Sequence, residues 1–207
     1  VPTPAREEEL LLTHTPELIH QVKDLTFIDP DTPAMENIYH YAVLSAGAGV
    51  MAAQLCTAAC FSFSLMRPPG HHAGKNFLGG FCYFNNIAIA VQTKLTAHPG
   101  LKIAVLDIDC HHGNGTENIF LGQENILYVS LHQVPLYPGT GHHSQLNCQN
   151  FPLAPGTDEN KYLAVLDAGL SLTRAFQPDY LAISAGFDTY AKDPLTQLRL
   201  QPGTYYQ

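Results

Sequence analysis

Apolar residues recur with two periods along this chain, and each period predicts a different kind of element. From Thr32 to Cys60 small and apolar residues, Ala42, Ala46, Ala48, Ala52 and Ala53 among them, predict a tightly packed helical region. The first 30 residues are polar and punctuated by proline. After the helical region comes a loop with Pro68, Pro69, Gly70, Gly74, Gly79 and Gly80, and Asn85 to Leu95 then resumes a helical pattern. Three short β-type runs follow, Ile103 to Asp109, Ile126 to His132 and Tyr180 to Phe187, with a helical segment from Asn160 to Phe176 before the third. Near-continuous apolar strands alternating with helices predict an α/β fold with a mostly parallel sheet covered by helices on both faces. Each run ends in polar residues: Asp107, Asp109 and His111 on the first, Ser130 and His132 on the second, Asp188 on the third. Open parallel sheets bind ligands beyond the carboxyl ends of their strands, so the chemistry is expected along one edge.

Composition narrows the class of function. The 207 residues, 45% of them hydrophobic, suffice for one sizeable core, and a single domain is expected. A formal net charge of -8 leaves no basic face for nucleic-acid phosphates. It suits a cationic substrate, or serves only solubility. The five cysteines, Cys56, Cys60, Cys82, Cys110 and Cys148, form no CxxC pair, which points away from a disulfide framework and a thiolate zinc site and toward a reducing, cytoplasmic setting. No apolar run approaches the roughly 20 residues that span a bilayer, so no membrane partner is expected. Arg6 followed by Glu7, Glu8 and Glu9 does not resemble a signal peptide. The chain opens on Val1 rather than Met, so an earlier segment is expected upstream.

In Asp107-Ile108-Asp109-Cys110-His111-His112 the strand period of two places Asp107, Asp109 and His111 on one side until the chain turns at Gly113. A single strand-end Asp or His often only caps a loop. Three on one face, with Asp188 ending the strand Ser184-Ala185-Gly186-Phe187, suggest Asp109, His111 and Asp188 as a ligand triad with one position open. That pattern fits catalytic zinc, and without thiolate also iron(II). Asp107 would then orient an imidazole. The pair His71 and His72, on the Gly/Pro loop, suits metal-assisted hydrolysis: one base for the attacking water and one charge or hydrogen bond for the intermediate. His14, His20, His40 and His98 read as solvated or locally bonded, and His142 and His143 as surface residues. Cys56 and Cys60, one helical turn apart, read as core, and Cys82 and Cys110 as buried inert thiols.

Five stretches, Arg67-Pro68-Pro69-Gly70-His71-His72-Ala73, Gly80-Phe81-Cys82-Tyr83-Phe84-Asn85-Asn86, Asp107 to Thr116, Tyr137-Pro138-Gly139-Thr140-Gly141 and Ala185-Gly186-Phe187-Asp188, resemble in order and spacing the superfamily of histone deacetylases, acetylpolyamine amidohydrolases and acetoin utilisation proteins. The match runs from about Asp31 to Leu200, with the bacterial members most similar. The resemblance implies a three-layer, arginase-like α/β fold and hydrolysis of acetylated amines, either acetyl-lysine in proteins or acetylpolyamines. It implies zinc held by Asp109, His111 and Asp188, with His72 as general base and acid, His71 paired with Asp107 as its electrostatic partner, and Asn114 behind His72 where other members carry Asp. Gly80, Phe81 and Tyr137 would line the substrate channel. Phe81 and Tyr137 could alternatively be core residues, and Asp31 is either a rim carboxylate or a helix cap. A structural potassium ion would use Asp107, Asp109, His111, Ser130 and Leu131. Family members carry, beyond the position of Gln207, a Gly-Gly-Tyr segment whose phenol serves the oxyanion, and a longer N-terminal stretch, so a partial domain with little activity by itself is expected. A deacetylase-like module that binds acyl-lysine or a protein partner without turnover is the alternative. A dinuclear manganese site would need a carboxylate where Tyr190 stands.

Overall fold

The structure is a computed structural model and describes residues 1–206. The elements in chain order are α1 (Glu7–Leu10), α2 (Pro16–Asp24), α3 (Ile38–Leu55), α4 (Asn86–Ala97), β1 (Ile103–Asp107), α5 (Asn114–Phe120), β2 (Ile126–Gln133), β3 (Cys148–Leu153), α6 (Glu159–Phe176) and β4 (Tyr180–Ser184), followed by a 3-10 turn at Pro202–Tyr206. The chain divides into two compact units, Val1–Gly100 with Asn114–Ile119, and Leu101–Gly113 with the residues from Phe120 onward. Among the described residues no helix is long and apolar enough to cross a membrane.

In the first unit α3 is apolar around most of its circumference and buries Ile38, Ala42, Val43, Ala46 and Val50, as a helix without a polar face must. It packs on α4. The predicted helix from Thr32 to Cys60 is trimmed at both ends. Pro33 removes a backbone donor near the start, and α3 begins only after Asn37. At the other end Cys56 is extended and Thr57 pairs with Cys60 in a small hairpin, so the two cysteines are not helical neighbours and Cys60 is exposed rather than core. The opening segment, read as polar, supplies Leu10, Leu18, Ile19, Val22 and Phe27 to the core. Its α2 is short, started by Pro16 and the Thr15 hydroxyl, which accepts the Leu18 N–H, and only one narrow apolar stripe runs along it.

The second unit is built on a four-stranded parallel sheet of order β3-β2-β1-β4. Every residue of β1 and β2 is buried, as expected of the two central strands, and α6 packs over β2 and β3. The α/β architecture agrees with the expectation from sequence. Strand β3 and helix α5 were not legible: β3 reads Cys-Gln-Asn-Phe-Pro-Leu, with Pro152 tolerated because the strand lies at the sheet edge.

One buried histidine braces the loop that carries the tandem histidines. His14 is 3% exposed; its Nδ1–H donates to the Gly74 carbonyl at 2.8 Å and its Nε2 accepts the Asn85 N–H at 2.9 Å. Asn85 in turn donates through Nδ2 to the Ala73 carbonyl at 2.9 Å and caps α4 by accepting the Ala88 N–H. His14 is therefore neither solvated nor locally bonded, because its partners lie 60 and 71 residues away. Burial lowers its pKa to about 4, against the opposing hydrogen bond to Gly74.

The ring is neutral in the folded chain above about pH 4, whereas an unfolded histidine takes its proton near 6.5. Its contribution is complete above 6.5 and lost as pH falls from 6.5 toward 4, by up to roughly 3 kcal/mol. Urea unfolding from pH 7.5 to 4.5 should show this decline. His14→Gln should be less stable by about 2 kcal/mol at pH 7.5 and flatter over that window, since it breaks a buried bridge but cannot titrate.

Candidate metal centre and tandem histidines

The metal-ligand candidates lie where β1 and β4 end side by side, Asp107 in register with Ser184. Strand alternation does not bring them together, because β1 stops at Asp107. Instead each carboxylate turns the chain that follows it: the Asp109 N–H donates to Asp107 Oδ1 at 3.2 Å and the His111 N–H to Asp109 Oδ1 at 2.8 Å. Asp107 is fully buried, with Oδ2 accepting the Tyr128 hydroxyl at 3.1 Å. Beyond β4, Asp188 Oδ1 accepts the Cys110 N–H at 2.8 Å, while its carbonyl accepts the Thr196 hydroxyl. Gly186 makes this approach possible, since a Cβ there would fall on the Asp109 carboxylate.

One ligand atom from each of Asp109, His111 and Asp188 lies within 4.8 Å of the others. His111 Nδ1 is 2.7 Å from Asp188 Oδ2 and 3.2 Å from Asp109 Oδ1, and about a fifth of each side chain is exposed. Burial lowers the His111 pKa, but the hydrogen bonds and charges of Asp109 and Asp188 outweigh it and raise the pKa to about 10. Asp188 is held above the ordinary carboxylate range, first by burial and also by the Asp109 charge, against its hydrogen bond to His111. Without a metal, then, a proton on His111 stands among two carboxylates and leaves one negative charge unbalanced. One nitrogen and two oxygens around such a deficit suit a divalent cation of the zinc or iron(II) type. Cys110 lies against the same carboxylates, yet burial and their charges push its thiol up to about 12, so it stays protonated and inert, as expected.

In the first unit His71 and His72 are buried, with ring centroids 4.0 Å apart. His72 Nδ1–H donates to Asn114 Oδ1 at 2.8 Å, which makes Nε2 the basic nitrogen of the neutral ring. The Thr116 N–H donates to the His71 carbonyl at 3.0 Å, tying the loop to α5.

The remaining candidates are dispersed. Phe81 and Tyr137 are 53% and 41% exposed, which rules out the alternative reading of both as core residues. Phe81, next to Gly80, adopts φ +67, and its N–H donates at 3.0 Å to Oγ1 of Thr32, a buried residue that sequence reasoning passed over. Asp31 is exposed and lies well before α3, whose cap is Asn37, so it is not a helix cap. Ser130 and Leu131 are buried in β2, the Ser130 hydroxyl meeting His132 Nδ1 at 2.8 Å. His142 and His143 are exposed, in agreement with the sequence.

Comparison with known proteins places these features in context. A family described as Histone deacetylase domain matches residues 1–207. A probable deacetylase of Archaeoglobus fulgidus is 38% identical over 99% of this chain and 60% of its own length. Acetylpolyamine amidohydrolase 2 of Pseudomonas aeruginosa is 40% identical over 73% of this chain and 47% of its own length. The crystal structure of the HDA15 HD domain superposes with a TM-score of 0.92 at 34% identity, covering 99% of this chain and 63% of that one. The chain thus spans about half to three-fifths of the length of these two curated relatives.

If the triad is a metal site, Asp188→Ala should abolish tight zinc binding, because two protein ligands hold the ion poorly against water. Zinc at one equivalent in the purified variant would refute the assignment. Loading the unsubstituted protein at pH 7.5 should release about one proton, the one held on His111, and the release should shrink as pH approaches 10.

Proposed function

This chain belongs to the histone deacetylase domain family, and from that premise we propose that it is a zinc-dependent amidohydrolase that removes acetyl groups from acetylated amines, acetyl-lysine in proteins or acetylpolyamines. The observation that carries the reading is the convergence of Asp109, His111 and Asp188 within 4.8 Å, two carboxylates and an imidazole with a charge deficit between them. Zinc bound there would supply Lewis acidity, polarising the acetyl carbonyl and lowering the pKa of water. Iron(II) suits the same donors, and potassium would use Asp107, Asp109, His111, Ser130 and Leu131 structurally. A second metal of the dinuclear manganese type lacks its carboxylate, since Tyr190 stands two residues beyond Asp188.

The protein's own groups supply the proton transfers. His72, with Nδ1 fixed by Asn114, takes a proton from the attacking water at Nε2 and returns it to the leaving amine. His71, its ring against that of His72, balances charge on the intermediate. Asn114 orients the His72 ring but brings no charge, so it raises the imidazole pKa less than a carboxylate does. Gly80, Phe81 and Tyr137 line the path of the methylene stem, with Asp31 at its rim. The net charge of -8 suits cationic amines, and a relative described as an acetylpolyamine amidohydrolase supports that substrate class.

The zinc-loaded full-length protein, of which this chain covers the matched part, should release acetate from a panel of acetyl-lysine peptides and acetylpolyamines. No release from any of them with one equivalent of zinc bound would overturn the reading. His72→Ala should lower kcat by about 10² to 10⁴ with zinc retained, the usual range for general acid-base assistance; loss of zinc would make His72 a ligand instead. Asn114→Asp should favour the imidazolium and move the acidic limb of the pH-rate profile upward. An unmoved limb would mean that the contact with His72 is not functional.

A further inference from the structure

Two imidazoles that the proposed chemistry does not use lie against the loop that carries Tyr137. His112 and His132 are 2% and 0% exposed, with ring centroids 4.5 Å apart. His132 Nε2 faces the Gly141 carbonyl at 3.0 Å; a carbonyl only accepts, so Nε2 carries the hydrogen and Nδ1 accepts the Ser130 hydroxyl. His112 Nδ1 is 2.8 Å from Thr140 Oγ1. Gly141, at φ +77, is seated against both rings, and a Cβ there would meet His132 Nε2 and the ring carbons of His112. The histidines thus hold two consecutive loop residues, one by its hydroxyl and one by its carbonyl. Within the loop the Gly139 N–H donates to the Leu136 carbonyl at 2.9 Å, closing a turn around Tyr137 and Pro138. The Tyr137 ring stands 6.4 Å from the His111 ring. Exposed turns with two positive-φ glycines lose much entropy when fixed, and this one needs an anchor.

We propose that His112 and His132 are positioning residues that fix the 137–141 loop through Thr140 and Gly141, set the distance of Tyr137 from His111, and so select the acylated stem that reaches the metal centre. The selection rests on reading Tyr137 as a channel wall. The anchoring does not, since it follows from the hydrogen bonds and from the packing at Gly141. Thr140 is exposed, so its substitution tests the anchor without threatening the core.

The chain contains no tryptophan, so Tyr137→Trp installs a single indole on the loop. In that background Thr140→Val, of similar shape but without the hydroxyl, should raise acrylamide quenching of the indole about threefold, a change within the reach of one neutral hydrogen bond. Thr140→Ser should leave quenching near its starting value. Equal quenching in the valine and serine variants would overturn the anchor. With Tyr137 intact and zinc bound, Thr140→Val should raise KM for acetylated amines about threefold to tenfold, with kcat and zinc content within about twofold. A fall in kcat at constant KM would overturn the selective role. Absence of turnover in the unsubstituted, zinc-loaded full-length protein would overturn the deacetylase reading and the selection with it, while the quenching comparison still decides whether the anchor exists.

Discussion

The candidate metal centre depends on how two carboxylates and one imidazole, largely removed from water, share a single proton. Two negative charges beside one positive charge in a poorly hydrated position are unfavourable unless every lone pair is used and a further cation is available. The local chain goes part of the way to the first condition: Asp109 and Asp188 each accept a backbone N–H from the turn that follows β1, in addition to their contact with His111. The sheet makes this possible. Only because β1 and β4 pair in parallel and end together do the segments leaving them meet, and only a residue without a side chain at position 186 lets them approach so closely.

Histidine serves opposite ends in this chain, and the partner decides which. His111, between carboxylates, is raised to about 10 and carries a charge, whereas His14, between a carbonyl and a backbone N–H, is lowered to about 4 and works as a neutral bridge. His132 also has one acceptor and one donor partner, the Gly141 carbonyl and the Ser130 hydroxyl. His14 joins segments far apart in sequence, and His132 ties β2 to the 137–141 loop through Gly141. That is a use for an imidazole's two nitrogens, one donor and one acceptor, at a fixed angle. The loops of the candidate site are irregular in backbone yet held, because their buried polar groups are satisfied by such side chains.

Many of the candidate site residues were legible along the chain. The spacing of Asp107, Asp109 and His111, the adjacent His71 and His72, and Asp188 at the end of an apolar run mark the candidate residues, and apolar runs alternating with helical segments name a parallel α/β sheet. The order of five motifs also carried the resemblance to a family that the comparisons then showed. Strand β3 escaped because polar residues and Pro152 hide an edge strand, and the opening segment escaped because a short amphipathic helix has too few turns for its stripe to stand out.

What the sequence determined by itself was the kind of side chain present and its short-range spacing, because residue type and the periods of helix and strand are local properties. Tertiary structure decided which of those side chains meet. Asp188 reaches the turn around Cys110 across 78 residues, and His14 reaches Asn85 across 71. Residues so far apart in sequence have no preferred distance until strand pairing and core packing supply the free energy to close the chain between them. Whether a histidine is a ligand, a base or a bridge is settled only then, by the charge and hydrogen-bonding character of the groups that folding brings against its two nitrogens.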